Sequence, residues 1–167
     1  MEQQAVYGKE VVSSKEEKYY EITLRIEPMG AVRTTSKGKF TDSAKKYHSW
    51  MKSVQWMWVD AVRKLGLPAT YTLPCIVSHV EFGIAITVPK AMKGKALVDR
   101  LSLIGKPHKK KPDLDNMYKA VVDAICYSGG DAICHSGGDS HIHQIGGMRK
   151  IYAPAGQSYI KICFKED

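Results

Sequence analysis

Lys110-Lys111-Pro112-Asp113-Leu114-Asp115-Asn116-Met117-Tyr118-Lys119 sets two carboxylates two residues apart behind a basic run, with a lysine four residues after the second. Asp115 followed by Asn116 reads as a helix start. Beyond it Met117, Ala120, Val121, Ala124 and Ile125 recur at helical spacing, giving one apolar face long enough to pack on a core. The residue before Pro112 is pushed towards an extended conformation, so Asp113 and Asp115 are expected to project to the same side of the backbone. Lys119 lies one helical turn beyond Asp115 and shares its face. Two carboxylates and an ammonium would then converge on a small volume, and hard oxygen ligands of this kind suit Mg2+ or Mn2+. The bland alternative is a helix N-cap with a solvated neighbour, and the pair alone does not choose between the two.

Upstream, the pattern is that of strands around one long helix. Residues 1–18 are polar and mixed in charge without a sustained period, which reads as a flexible arm ahead of a single domain over 19–167. Tyr19 to Glu27 alternates Tyr20, Ile22, Leu24 and Ile26 against polar neighbours, a half-buried strand ended by Pro28-Met29-Gly30. Ala31 to Phe40 carries Arg33, Lys37 and Lys39 among Thr, Ser and Gly, a basic loop. Thr41-Asp42-Ser43 offers a helix start, and a wide apolar stripe from Tyr47 to Leu65 runs up to Gly66. Trp50 and Trp58 lie on that stripe and read as core, whereas Trp56 falls off it. Leu73 to Val88 reads as a strand pair or one long bent strand, with Gly83 marking a bulge. Ala91 to Leu103 has a short helical pattern whose outer side is kept basic by Lys90, Lys93, Lys95 and Arg100.

Downstream of the Asp-x-Asp helix, Asp123 to Gly130 is followed directly by Asp131 to Gly138, the same eight residues with Tyr127 replaced by His135. One short tandem copy is no solenoid repeat, and it reads as an insertion that lengthens a loop. His141 to Ile145 and Lys150 to Pro154 flank Gly146-Gly147, which suggests a turn, and Ser158 to Phe164 is a last alternating strand. The order of elements predicts an α+β domain: a mixed sheet with helices packed mainly on one face.

Composition bounds the function. At 167 residues one domain suffices, and 25 Lys and Arg against 17 Asp and Glu give a formal charge of +8, a surface that attracts polyanions such as nucleic acid. No apolar run is long enough to span a bilayer, so a membrane role is not expected. Cys75, Cys126, Cys134 and Cys163 form no compact secreted framework and no amino-terminal stretch reads as a signal peptide, so the expectation is a reduced, cytoplasmic protein.

Gly105-Lys106-Pro107-His108-Lys109-Lys110-Lys111-Pro112-Asp113-Leu114-Asp115-Asn116, with Lys119 and Asp123-Ala124-Ile125 after it, resembles the signature of the RusA family of Holliday junction endodeoxyribonucleases in its phage-encoded branch. The likeness extends more weakly over residues 19 to 165. It implies a Mg2+-dependent hydrolase, working as a homodimer on four-way DNA junctions, with Mn2+ as a substitute. Three aspartates would hold the metal. Two map onto Asp113 and Asp115. The third best fits Asp139-Ser140-His141-Ile142, where His141 stands in place of the family's Gln. Asp139 lies farther from Asp115 than the family pattern has it, and the duplication supplies the excess; Asp131 is the alternative third carboxylate. Lys119 would contact the scissile phosphate or the leaving oxygen. Lys106, Lys109, Lys110 and Lys111, together with Arg33, Lys37 and Lys39 in the loop that the family sets near DNA, would grip phosphates without reading sequence.

Two other readings stay open at this point. Cys126, Cys134, His135, His141 and His143 could be imagined as a zinc site, although the separation of the two cysteines matches no common zinc spacing. The insertion could also have displaced the last carboxylate and left a noncatalytic protein that binds branched DNA.

Overall fold

The computed structural model describes residues 7–12, 18–32, 41–68, 76–126 and 144–165. Strand β1 (Tyr7–Val12) pairs antiparallel with β2 (Lys18–Leu24), and helix α1 (Asp42–Lys64) follows. Next come β3 (Ile76–Ala85), helix α2 (Gly94–Leu101), helix α3 (Leu114–Cys126), and strands β4 (Gln144–Ile145), β5 (Met148–Ala153) and β6 (Tyr159–Lys165). The sheet has six strands in the order β1-β2-β6-β3, with β4 and β5 both on the outer side of β3. Pairing is antiparallel from β1 to β3 and parallel from β3 to β4 and β5, so the sheet is mixed and the fold α+β.

Period-two alternation decides which face is covered. Tyr20, Ile22 and Leu24 of β2 and Ile160, Ile162 and Phe164 of β6 are buried and join Val77, Val80 and Phe82 of β3 under the helices. Helix α1 starts at Thr41, whose hydroxyl accepts from the Ala44 N–H at 3.3 Å, and ends before Gly66, which takes a positive φ of 77°. Trp50 and Trp58 are buried and Trp56 is 63% exposed, as the stripe requires. Removing about 200 Å² of indole from water is worth on the order of 5 kcal/mol as an upper estimate, so the stripe rather than helix propensity holds α1 on the sheet. Helix α3 packs beside α1 with Met117, Ala120, Val121, Ala124 and Ile125 in the same core. Helix α2 buries no residue, and Val98 and Leu101 remain exposed.

Several expectations change. The arm assigned to residues 1–18 contains β1, because an edge strand needs only the free N–H and C=O groups of its neighbour and no apolar alternation of its own. Of the stretch Leu73 to Val88, the described part forms the single bent strand of the two readings, Ile76–Ala85, but its irregularity lies between Val77 and His79 rather than at Gly83. Gly83 is instead covered by Tyr159: a Cβ there would come 2.2 Å from the ring. Gly146-Gly147 makes no hairpin turn. The Gly146 N–H donates to Val77 O at 2.8 Å and the Val80 N–H to Gly147 O at 2.9 Å, so the chain continues along one edge of β3. Gly146 is needed there, since a Cβ would lie 2.3 Å from Ser78 O.

The far face of the sheet is polar and carries a cluster the pattern did not announce. Glu81, only 2% exposed, pairs with Arg149 of β5 and accepts from the Tyr159 hydroxyl. Burial opposes ionisation of Glu81, but the Tyr159 and Arg149 hydrogen bonds and the nearby cations outweigh it and hold the carboxyl below its usual range. Burial and the same carboxylate push the Tyr159 phenol up to about 12.

Candidate active site

The helix carrying the carboxylates begins one residue earlier than its sequence suggests. The Met117 N–H donates to Asp113 O at 3.0 Å, which puts Asp113 at the N-cap position, with Leu114 the first helical residue and Asp115 within the first turn. The two aspartates therefore stand on a helix start and not on an extended run, which corrects the expected geometry while keeping both at the head of α3. Both are exposed, and neither carboxylate has a hydrogen bond or ion pair among the described residues. Two negative groups beside four lysines would ordinarily be neutralised. With no partner among the described residues, their oxygen atoms are open to a cation, and an all-oxygen donor set fits a hard divalent ion.

Three tethers set this corner. The first comes from the segment leaving β2: Ala31 N–H donates to Asn116 O at 3.0 Å, and the Asn116 side-chain amide donates back to Ala31 O at 3.3 Å. Gly30 permits that approach, since a Cβ there would lie 2.6 Å from Asn116 Nδ2 and 2.8 Å from Pro112 Cβ. Trp50 of α1 anchors the same segment by donating to Glu27 O at 2.9 Å.

The second tether is an extension of the sheet. Gly105 N–H donates to Tyr152 O at 2.8 Å, Tyr152 N–H to Lys106 O at 3.0 Å, and His108 N–H to Lys150 O at 2.9 Å, so residues 105–108 run along the outer edge of β5. His108 packs on the Tyr152 ring with centroids 4.6 Å apart. Burial, then the Lys150 ammonium, holds its imidazole below the ordinary histidine value, against a backbone hydrogen bond at Lys110 that acts the other way. The third tether is Lys150 of β5, whose Nζ donates to Lys110 O at 2.5 Å and Pro112 O at 2.6 Å. The Lys111–Pro112 peptide between those carbonyls is cis.

Along α3, Asp115, Lys119 and Asp123 follow one another on one face. Lys119 Nζ lies 3.3 Å from Asp123 Oδ1, with 60% of the lysine side chain exposed. An exposed i,i+4 pair is worth a few tenths of a kcal/mol, too little to withhold the ammonium from a phosphate. Asp123 has a supporting place, since the Tyr47 hydroxyl of α1 donates to its Oδ2 at 3.4 Å. Burial and this carboxylate together raise the Tyr47 pKa well above that of a free phenol, so it stays a donor.

Lys106, Lys109, Lys110 and Lys111 are all exposed on the loop that leads into α3. A family model described as endodeoxyribonuclease RusA matches residues 25–162, a span that runs from just after β2 into β6 and contains every tether described above. The chain belongs to the RusA family. Membership makes it one of a family of endodeoxyribonucleases that act on branched DNA junctions. A search of curated proteins finds no match.

Of the expected RusA site residues, Asp113, Asp115 and Lys119 share the first turns of α3, and Lys106 and Lys109 to Lys111 lie on the loop that leads into it. Arg33, Lys37, Lys39, Asp131 and Asp139 lie outside the described residues, as do Cys134, His135, His141 and His143 of the zinc alternative. Among the described residues no group of three His, Cys, Asp or Glu side chains could hold a metal, and neither Cys126 nor Cys163 forms a disulfide. No described helix is long and apolar enough to cross a membrane. Sequence reasoning missed Gly30, Asn116 as a bridging amide, Tyr47 and Lys150. Only Asn116 carried a local signal, its place directly after the second carboxylate.

Proposed function

We propose that this chain is a Mg2+-dependent endonuclease that resolves four-way DNA junctions by paired hydrolysis of phosphodiesters, with Mn2+ able to replace Mg2+. The observation that carries the reading is the pair Asp113 and Asp115 at the head of α3, exposed, without partners among the described residues, with exposed Lys106, Lys109, Lys110 and Lys111 on the loop that leads into the helix and Lys119 one turn along it. A phosphodiester bears a full negative charge that repels an attacking oxygen, so its hydrolysis needs positive charge fixed opposite the phosphoryl oxygens. When bound, a divalent cation supplies a water of lowered pKa and part of that charge. Asp113, Asp115 and Asp139 are the residues that would hold it. Lys119, one turn from Asp115, would face the scissile phosphate and its leaving oxygen, while the lysines of the loop neutralise flanking phosphates. Resolving a junction takes symmetric nicks in two strands, which a two-fold homodimer delivers. The setting implied is a phage-encoded protein acting in the cytoplasm of a bacterial host.

The test is incubation of the purified chain with a synthetic mobile four-way junction, with and without Mg2+, reading paired nicks on a denaturing gel. Asp113→Asn and Asp115→Asn are each expected to abolish nicking while junction binding stays intact or tightens, because removing a carboxylate near phosphate lowers repulsion. Nicking at the parental rate by either variant refutes the site.

A further inference from the structure

Lys150 carries no role in the reading above, yet its contacts single it out. It stands opposite Phe82 in the β5 to β3 register, so its side chain rises on the helix-covered face of the sheet. There it is half-buried and both of its hydrogen bonds end on main-chain carbonyls, those of Lys110 and Pro112. Pro112 immediately precedes Asp113. No backbone-to-backbone hydrogen bond holds residues 109–112 among the described residues, so this ammonium does the work that a ladder does elsewhere.

The rest of the corner cannot substitute for it. The Ala31 to Asn116 pair fixes the helix within its first turn, and the bonds of residues 105–108 to β5 stop at His108. Between them lies the run of Lys109, Lys110 and Lys111, three like charges that repel one another and favour a detached loop. Lys150 opposes that tendency with two charge-assisted bonds from a rigid strand. The geometry points to Lys150 as a positioning residue: by tying the backbone just ahead of Asp113 to β5, it holds the Asp113 carboxylate at the separation from Asp115 that a divalent cation requires. This rests on the metal reading given above.

The experiment measures Mn2+ binding to the free full-length chain by electron paramagnetic resonance, so it does not depend on nicking. Melting temperature and junction binding are followed in parallel. Parental binding is expected to be lost in Asp113→Asn. Lys150→Met is expected to weaken Mn2+ affinity by about tenfold or more, the usual scale for losing a group that orients a ligand. Lys150→Arg, which can still donate to both carbonyls, is expected to recover most of the affinity. Should Lys150→Met fail to fold, Lys150→Gln keeps one donor and is expected to fall between Arg and Met. Asp113-dependent Mn2+ binding that is undiminished in the folded Met or Gln variant overturns the assignment alone. Absence of any Asp113-dependent Mn2+ binding in the parent overturns the metal reading and this one with it. A melting temperature that falls while Mn2+ affinity holds shows a structural lysine only, and also overturns it.

Discussion

Gly30→Ala tests the tethering of the candidate site with one methyl group. Gly30 has no left-handed backbone requirement, so the effect is steric. The added Cβ would come 2.6 Å from Asn116 Nδ2 and 2.8 Å from Pro112 Cβ, where carbon atoms sit comfortably at about 3.5–4.0 Å. The Asn116 amide could swing away, but it would then abandon Ala31 O. Pro112 is less free, since its carbonyl is held by Lys150 at 2.6 Å. The segment must lift by roughly 1 Å, which strains or breaks both bonds between Ala31 and Asn116. Overpacking costs about 1–3 kcal/mol and each lost bond about 0.5–1.5, offset by about 0.4–1 from a stiffer unfolded chain. The net is a loss of about 3 kcal/mol, and at about 2–4 °C per kcal/mol for a chain of this size the midpoint should drop by about 6–12 °C. Urea denaturation followed by tryptophan fluorescence reads the first figure, and Trp50, bonded to Glu27 O in the same segment, reports locally. The double variant Gly30→Ala with Asn116→Ala separates the two clashes: if the amide dominates, the pair costs little more than Asn116→Ala alone. A Gly30→Ala protein as stable as the parent would refute the close approach and the account of how α3 is anchored.

Three further outcomes are expected. Replacing Lys109, Lys110 and Lys111 together by Gln should reduce the slope of log junction affinity against log salt by about 2–3, as each phosphate contact contributes about 0.9; an unchanged slope removes these lysines from the interface. Because the folded chain holds His108 below its ordinary pKa of 6.5, the unfolded chain binds more protons just under that pH, so stability is full above it and falls as pH is lowered; melting curves of His108→Phe should lose that share of the decline, and equal pH slopes in the two proteins would contradict it. Finally, Asp139→Asn is expected to abolish Mg2+-dependent nicking while Asp131→Asn leaves it near parental; the reverse result transfers the third carboxylate to Asp131, and a parent that nicks only after one copy of the repeat is deleted is a resolvase disabled by its duplication.

How far the chain could be read in advance followed the range of the interactions. Helix α1 was legible because its cap, its stripe and the glycine after it lie within one continuous run, and each local preference agrees with the fold. Strands β2 and β6 were legible for the same reason, since alternation reports which side is buried without naming the partner. The candidate site was half legible. Asp113, Asp115 and Lys119 lie on consecutive turns of one helix, and a family signature of that kind survives in sequence because its parts are covalently close. The sequence could not say that β4 and β5 both add in parallel to β3, because register depends on which edges are free once the sheet exists.

Nor could it say what holds the carboxylates in place. Ala31 meets Asn116 across 85 residues of chain, Lys150 meets Pro112 across 38, and Tyr47 meets Asp123 across 76. Each of these residues has an ordinary local context: a glycine after a strand, a lysine in a strand, a tyrosine on an apolar stripe. By itself the sequence determined the groups that can do chemistry and the helix they ride on, since those follow from residue type and spacing. Tertiary structure alone decided that a sheet lysine, a loop glycine and a helix tyrosine close around them, because packing brings together atoms whose separation along the chain carries no periodic trace.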